Sequence, residues 1–268
     1  MKNLIAVSAL VLFAASALAQ QADVSITRLD CGTPPAEPRD VSRFSDIYAY
    51  PDLKVAFTYS CYLIKHNDQY LVWDAGQPDN GNAAAPKKNL KVLLGELGIK
   101  PEQVNYLGIS HYHGDHTGQA PLLPGAMLLM GKGDWDAVSG VTPNQMASGE
   151  PFKHWISGGG KVEAVAGDKD IFGDGTVVML AMPGHTPGHS SLLVRLQEMG
   201  NVLISGDLAH FHENYDNNGV PSFNTNRADT LASIARFKAI AKNLDATIII
   251  QHDARDIKIL PAFPKAAK

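Results

Sequence analysis

Residues 104–116 read VNYLGISHYHGDH, a mostly apolar stretch that runs directly into a cluster of metal-binding side chain types. The first seven residues are typical of a buried β-strand. Imidazole nitrogens and carboxylate oxygens suit a borderline divalent metal such as zinc. The ligand candidates in the second half are His111, His113, Asp115 and His116. Because ligands bind beyond the carboxyl ends of strands in α/β sheets, this pattern predicts a metal site rather than a solvated histidine-rich loop.

Three further ligand candidates lie where other apolar stretches end. They are His185 after the predicted strand 177–182, Asp207 after 201–205, and His252 after 246–251. Taken singly, each residue has a simpler interpretation, such as a capping aspartate or a hydrogen-bonded histidine at a sheet edge. Taken together, they are expected to meet at one edge of the sheet and to complete two metal sites.

The remaining pattern indicates an α/β sandwich built on sheets. Predicted strands at 55–65 and 69–73 flank the turn residues Asn67 and Asp68, which is typical of a hairpin. A helix is predicted over 87–97, ending at Gly98. A second helix is predicted over 227–244, with Asn226 as its N-cap. Its apolar residues with helical spacing are Phe237, Ile240, Ala241 and Leu244.

The N-terminus has the pattern of an export signal. Lys2 is followed by the apolar residues 4–18 and by Ala17-Leu18-Ala19, a small-x-small cleavage sequence. We therefore expect residues 1–19 to be a signal peptide that is removed on export to the periplasm or medium, leaving no membrane span. An uncleaved anchor or a buried N-terminal helix is the alternative.

Composition limits the classes of partner. The 268-residue chain is 45% apolar and 19% charged, which excludes a disordered polymer. Its formal net charge of −4 and the lack of a basic stretch argue against a nucleic-acid partner. Cys31 and Cys61 are the only cysteines, and they either form a disulfide or remain two buried thiols.

The full ligand pattern resembles the metallo-β-lactamase superfamily from about residue 55 to His252. The resemblance implies a single hydrolase domain over 20–268 with an αββα four-layer sandwich, two mixed sheets with helices outside. It also implies two Zn²⁺ ions, although cobalt, manganese or iron would tolerate these ligands. One ion would be bound by His111, His113 and His185, the other by Asp115, His116 and His252, with Asp207 bridging them.

Within that superfamily the chain is most similar to the N-acyl homoserine lactonases. The similarity lies in 183–190 (PGHTPGHS), 205–210 (SGDLAH) and 213–215 (ENY), which leads to 219–221 (GVP). One departure is His210, where well-known lactonases carry a tyrosine that contacts the substrate. The resemblance implies a quorum-quenching dinuclear zinc hydrolase that opens a lactone ring with metal-bound hydroxide. Asp115 or His210 is then expected to protonate the leaving oxygen.

Other residues are candidates for supporting roles. Asp74, at the end of the predicted strand 69–73, is expected to fix the tautomer of a ligand histidine, unless it only forms a turn. His189 is a second candidate for this role, whereas His66, His154 and His212 have none. Aromatic residues of 134–160 and of the later loops either line a substrate pocket or anchor loops to the core. They are Trp135, Phe152, Trp155, Phe211, Tyr215 and Phe223.

Several functions other than lactone hydrolysis remain open. An exported β-lactamase would suit the signal peptide, but true lactamases of this superfamily usually lack an aspartate at the position of Asp207. Glyoxalase-type thioesterases and phosphotriesterases are also dinuclear relatives, and a catalytically silent metal-binding protein is the non-enzymatic alternative. No Gly-x-Ser-x-Gly elbow is present, so serine chemistry has no support. The expected partner is a small lactone or ester, and the oligomeric state, including a dimer, is open.

Overall fold

The computed structural model describes residues 22–142 and 146–268 of the chain. The predicted signal peptide at 1–19 lies outside these residues, so it stays a prediction. None of the helices in the two described ranges has the length and hydropathy needed to cross a bilayer.

Two mixed sheets form the centre of the fold. In chain order the strands are β1 (Val24–Asp30), β2 (Arg39–Asp40), β3 (Lys54–Val55), β4 (Ser60–His66), β5 (Gln69–Trp73), β6 (Tyr106–Ile109), β7 (Met127–Gly131), β8 (Val162–Val165), β9 (Lys169–Asp170), β10 (Val177–Ala181), β11 (Ser190–Leu196), β12 (Gly200–Ile204) and β13 (Thr247–Ile249). The first sheet has the order β1-β4-β5-β6-β7-β8 and the second β13-β12-β11-β10-β9, while β2 and β3 form a small separate pair. The first sheet is antiparallel from β1 to β5 and parallel from β5 to β8. In the second sheet, only β12 and β13 are parallel.

Helices cover the outer faces of both sheets. The α-helices are α1 (Leu90–Glu96), α2 (Gly114–Thr117), α3 (Lys132–Val138), α4 (Lys153–Ile156), α5 (His212–Asp216) and α6 (Arg227–Asn243). Short 3₁₀ helices lie at Ser42–Phe44, Pro101–Gln103, Ala120–Leu122, Glu150–Phe152, Gly206–Leu208 and Ala254–Lys258. Strand alternation distributes the apolar side chains between layers. On β4, Ile64 packs between the sheets against the second sheet, whereas Leu63 packs outward with Leu94 of α1. On the far side, Phe237 of α6 packs with Leu203 of β12. This confirms the αββα arrangement.

The predicted elements agree with the structure in type and differ at some ends. The hairpin turns at Asn67, whose φ of 52° lies in the left-handed region that asparagine tolerates. Helix α6 begins after Asn226, whose side chain accepts from the Asp229 N–H at 3.2 Å. The predicted helix at 87–97 starts late, at Leu90, because Asn89 caps it by accepting from the Val92 N–H at 3.1 Å.

The predicted strand at 55–65 is also shorter than expected. Val55 pairs with β2 in the small separate sheet, and the chain then leaves that pairing, with Phe57 forming an isolated bridge to Asp253. The ladder of the first sheet begins at Ser60. The segment 56–59 therefore passes beside His252 instead of extending β4, and this position matters for the site described below.

Cys31 and Cys61 form a disulfide with a Cα–Cα distance of 5.7 Å. Cys31 directly follows β1 and Cys61 lies on its antiparallel neighbour β4, so the pairing joins adjacent strands. Of the two alternatives that the sequence left open, the structure shows the disulfide.

Candidate metal centre

Both sheets deliver polar side chains to one edge of the sandwich. The loop after β6 and helix α2 provide His111, His113, Asp115 and His116, and the loops after β10, β12 and β13 provide His185, Asp207 and His252. These residues form two groups, and within each group all potential ligand atoms lie within 4.8 Å of one another. The first group is His111, His113, His185 and Asp207, and the second is Asp115, His116 and His252. Each group is mostly buried.

In the first group the imidazole nitrogens face a common point. Nδ1 of His113 lies 2.9 Å from Nε2 of His111 and 3.1 Å from Nε2 of His185. The Ser110 hydroxyl donates to Asp74 at 2.9 Å, so its oxygen is left to accept from Nδ1 of His111 at 3.1 Å. Nε2 of His111 is then unprotonated and presents a lone pair to the centre of the group.

In the second group two lone pairs point at each other. Nδ1 of His116 donates to Asp74 at 2.8 Å, and Nδ1 of His252 donates to the Thr58 carbonyl at 2.8 Å. Both Nε2 atoms are therefore unprotonated in the neutral rings, and they lie only 3.0 Å apart. Asp115 adds a carboxylate oxygen 3.6 Å from Nε2 of His252. Such a pair of acceptors is stable only around a positive charge.

Asp207 lies between the two groups and offers one oxygen to each. Its Oδ2 is 3.5 Å from Nε2 of His111 and 3.4 Å from Nε2 of His185. Its Oδ1 is 3.1 Å from Nε2 of His116 and 3.0 Å from Nε2 of His252. Oδ1 is buried and has no hydrogen-bond partner among the described residues. Ligands about 2.1 Å from a zinc ion are roughly 3.0–3.4 Å apart, so these spacings fit a bridging carboxylate between two metals.

Burial and neighbouring charges set the protonation of the cluster. Burial lowers the pKa of His111 well below its usual value, and burial together with His185 lowers the pKa of His113 to about 4. These rings are therefore neutral, the form that binds metal. Although burial alone would raise the pKa of Asp207, the surrounding histidines, led by His252 and His210, keep it well below the usual range. Although burial alone would lower the pKa of His116 and His252, Asp207 and the nearby carboxylates raise the pKa of His252 and bring that of His116 well above its usual value. The centre therefore combines neutral rings at His111 and His113 with two basic rings that face the ionised Asp207.

Asp74 orients His116 through a hydrogen bond to its ring. It is fully buried, with a φ of 61°, and its Oδ1 accepts from the Ser110 N–H at 2.7 Å. Its Oδ2 accepts from Ser110 Oγ, from Nδ1 of His116 at 2.8 Å, and from the Gln251 side-chain amide at 2.7 Å. The carboxylate therefore keeps a proton on Nδ1 of His116 and turns Nε2 toward Oδ1 of Asp207.

His189 supports the backbone of Asp207 and not a ligand ring. Its Nε2 accepts from the Asp207 N–H at 2.9 Å, while Nδ1 donates to the Met182 carbonyl at 3.0 Å. Burial, with the nearby His185, lowers the pKa of His189 to about 3, so the ring stays neutral and can accept. Gly206 leaves room for this contact, because a Cβ at its φ of 57° would lie 2.6 Å from Nε2 of His189.

Asp134 is a buried residue whose role the sequence did not reveal. Its Oδ2 accepts from Thr186 Oγ1 at 2.7 Å and from the Tyr112 N–H at 3.1 Å, and its Oδ1 accepts from the Gly188 N–H at 2.6 Å. Burial raises the pKa of Asp134 to about 6. This one carboxylate ties the loop of His111–His116 to the loop of His185. An acidic residue in the first turn of α3 gave no sign of these long-range partners.

His210 closes one side of the centre. Its Nε2 lies 3.1 Å from Oδ2 of Asp207, and its backbone N–H donates to the Asn214 side chain at 3.0 Å. The ring packs edge-on against Phe44 at 4.7 Å. His210 therefore contacts the bridging carboxylate from the side of the cavity.

An open cavity of about 320 Å³ lies directly over the two groups. The centre contributes His113, Asp115, Asp207, His210 and His252 to its floor. The walls come from Arg39, Arg43, Phe44, Phe57, Met146 and Phe223. Most of these wall residues belong to the segment 39–57, and no pattern in the sequence predicts that this segment lies near the metal-ligand candidates.

The structure places one of the six predicted pocket residues, Phe223, on the wall of this cavity and the other five elsewhere. Phe152 and Trp155 are buried in the core outside the first sheet, and Trp135 packs against the same cluster. Phe211 is fully buried behind Phe44, and Tyr215 packs against Phe237 of α6. Trp135, Phe152 and Trp155 therefore anchor the segment 134–160 to the core, whereas Met146 of the same segment lies on the cavity wall.

Comparison with known proteins gives consistent matches. The family model described as the metallo-beta-lactamase superfamily matches residues 56–252. An N-acyl homoserine lactonase, AttM of Azorhizobium caulinodans, is 31% identical over 204 residues, which are 73% of this chain and 72% of the relative.

Two solved structures show the same fold. The structure of a quorum-quenching N-acyl homoserine lactone lactonase superposes with a TM-score of 0.76 at 22% identity, covering 90% of this chain and 97% of that one. An N-acyl homoserine lactone hydrolase with N-hexanoyl-L-homoserine bound at its catalytic metal centre gives a TM-score of 0.74 at 22% identity, covering 90% and 98%.

Proposed function

The chain belongs to the metallo-beta-lactamase superfamily, and we propose that it is a dinuclear zinc hydrolase that opens the lactone ring of N-acyl homoserine lactones. The observation that carries the proposal is the position of Asp207, with one carboxylate oxygen toward each of two histidine-rich groups. A relative 31% identical is an N-acyl homoserine lactonase, which supports this substrate class. In that role the protein would act in quorum quenching.

The donor set fits two zinc ions. Five imidazoles and two carboxylates are nitrogen and oxygen ligands of the kind that zinc prefers. Two such ions would lower the pKa of water from ~16 toward ~7 and polarise a bound carbonyl. The catalytic arrangement therefore requires the protein to keep the ligands fixed and to handle protons beside them.

Protein groups supply the remaining steps. His210 lies on the cavity floor with Nε2 toward Oδ2 of Asp207, where it donates a hydrogen bond to the substrate as the ring opens. Asp115 lies at the same floor with 28% of its side chain exposed, so its carboxylate would take up the proton that the attacking water loses and then pass it to the leaving oxygen. Either group lies near enough to the reacting atoms to serve as the acid.

The cavity walls suit an acyl chain. The rings of Phe44 and Phe57 are 5.5 Å apart, and those of Phe44 and Phe223 are 5.3 Å apart. This continuous aromatic surface beside His210 would bury methylene groups, each worth roughly 0.8 kcal/mol of transfer free energy. Longer acyl chains are therefore expected to bind more tightly until the 320 Å³ cavity is filled.

Export of the mature enzyme is part of the proposal. The signal-peptide pattern of residues 1–19 supports it. The Cys31–Cys61 disulfide supports it as well, since structural disulfides persist mainly in oxidising compartments.

Ring opening of acyl homoserine lactones of several chain lengths tests the function. The zinc-loaded protein should turn them over, and His113→Ala should lose at least ~10³-fold in kcat/KM because a metal ligand is removed. His154→Ala is the matched control, since His154 is an exposed histidine outside the centre.

A parallel panel separates the alternatives. Chromogenic cephalosporin hydrolysis well above lactone turnover would instead indicate a β-lactamase, and dominant thioester cleavage would indicate a glyoxalase-type enzyme. Lactone turnover no faster than that of His113→Ala would refute the proposal.

A further inference from the structure

Two arginines line the same cavity as the metal ligands. Arg39 on β2 and Arg43 in the following 3₁₀ helix are exposed residues of its wall. The Arg39 guanidinium lies 5.1 Å from the centre of the Phe57 ring, and that of Arg43 lies 4.4 Å from the centre of the Phe223 ring. Each aromatic wall is therefore capped by a positive charge that stacking keeps in place.

Neither arginine is neutralised by a carboxylate within residues 22–142 and 146–268. Three other exposed arginines have carboxylate partners: Arg227 pairs with Asp46, Arg236 with Asp168, and Arg255 with Glu213 and Asp253. A further exposed arginine, Arg195, donates to the Gly175 carbonyl and the Asn201 side chain. Besides the Phe57 ring, Arg39 faces the hydroxyl of Tyr59, where it offsets part of the rise that burial causes in the pKa of that phenol. Two guanidinium groups without a carboxylate partner in the described ranges are thus placed on the wall of the cavity that holds the metal-ligand candidates.

The floor of the cavity adds to this positive charge. Asp115 and Asp207 are the carboxylates of the floor, and two divalent cations would exceed their charge. With Arg39 and Arg43 on the walls, the loaded cavity is cationic although the chain as a whole has a net charge of −4. Such a cleft attracts anionic ligands and repels cationic ones.

We propose that Arg39 and Arg43 form an anion subsite, and that the preferred substrates are acyl lactones or esters whose acyl chain ends in a carboxylate. The inference rests on the proposed function and narrows its substrate class. The scissile carbonyl would lie over the floor of the cavity, the methylene groups along Phe44, Phe57 and Phe223, and the terminal carboxylate between the two guanidinium groups. Arginine is suited to this role because its planar fork pairs with a carboxylate through two hydrogen bonds.

A matched substrate pair tests the subsite. Homoserine lactones with a carboxylate-terminated and a carboxamide-terminated acyl chain of equal length differ only in charge. The wild-type protein should prefer the carboxylate by about tenfold in kcat/KM, mostly through KM, and the preference should shrink as salt is added. Arg39→Gln/Arg43→Gln should lose the preference, whereas the control Arg195→Gln, on β11 of the second sheet, should keep it.

Two kinetic results would overturn the inference. One is equal turnover of the two lactones by the wild-type protein. The other is a double variant that slows both lactones equally, because the arginines would then only support the aromatic walls.

A binding measurement keeps the inference testable if neither lactone is turned over, in which case the proposed function fails by itself. Calorimetry with adipamate and adipamide on the metal-loaded protein should then show adipamate binding weakened about tenfold in Arg39→Gln/Arg43→Gln. An unchanged adipamate affinity would place its carboxylate on the metals and refute the subsite.

Discussion

Replacing Asp74 with asparagine should weaken metal binding without disturbing the fold. Asp74 has a φ of 61°, a conformation that asparagine tolerates as well as aspartate, so the backbone is preserved. The substitution places an amide N–H₂ or a single carbonyl where two carboxylate oxygens accept four hydrogen bonds. Nδ1 of His116 then loses its ionised acceptor, and the tautomer that presents Nε2 to the metal is no longer enforced.

The size of the effect follows from this contact. Removing the partner of a ligand histidine typically costs 10- to 100-fold in metal affinity, which is about 1.4–2.8 kcal/mol. The loss should fall on the group of Asp115, His116 and His252, since Asp74 contacts His116 directly. The other group, reached only through Ser110, should change by less than about threefold.

Competition titration with a chromophoric chelator measures both affinities, and circular dichroism checks the fold. Asp174→Asn is the matched control, because Asp174 pairs with His66 at 2.7 Å outside the metal-ligand groups. Its metal affinities should equal those of the wild-type protein. If Asp74→Asn is folded and binds both metal equivalents within twofold of the wild-type affinities, the assigned role of Asp74 is wrong.

Three further predictions concern stability. Phe237→Ala should lower the free energy of unfolding by about 3–5 kcal/mol, because this side chain of α6 is fully buried against the second sheet. Lys242→Ala on the exposed side of α6 should change it by no more than about 0.5 kcal/mol, and equal urea midpoints for the two variants would contradict this packing. Reducing the Cys31–Cys61 disulfide, which closes a separation of 30 residues, should cost about 3–4 kcal/mol in urea unfolding, and two titratable thiols in the untreated protein would refute the pairing. Burial raises the pKa of Asp134 from 3.8 to about 6. Between about pH 4 and 6 the folded protein therefore keeps a proton on Asp134 that the unfolded chain has lost. The free energy of unfolding should then fall by about 3 kcal/mol as the pH rises from about 4 to above 6. Asp134→Asn should lack this fall in chelator-treated samples, and a variant with the pH slope of the wild-type protein would count against the buried carboxylate.

Much of the fold follows from local patterns in the sequence. Alternating and continuous apolar runs end in ligands at His111, His185, Asp207 and His252, and strand ends necessarily meet at sheet edges. Helix α6 was predictable because Asn226 caps it and Phe237 faces the core. These signals act over a few residues, so a single sequence reveals them.

Other features depend on contacts between distant parts of the chain. Asp134 bonds to Tyr112 and Thr186, which are 22 and 52 residues away, and nothing near Asp134 indicates those partners. Arg39 and Phe57 reach the cavity because the chain leaves the small β2–β3 sheet and passes His252 before entering β4. The aromatic residues of 134–160 pack against the core instead of lining the cavity. The sequence could not predict this, because aromatic character alone does not distinguish a pocket wall from a core anchor.

The metal content per chain tests the dinuclear centre most directly. It is measured by plasma mass spectrometry on protein that has been purified without added metal and then dialysed against zinc. The wild-type protein should bind about two zinc ions per chain, because Asp207 presents one oxygen to each histidine-rich group. Asp207→Ala, which removes the bridge, should retain fewer. A folded wild-type protein that retains no more than about one ion per chain would contradict the dinuclear centre.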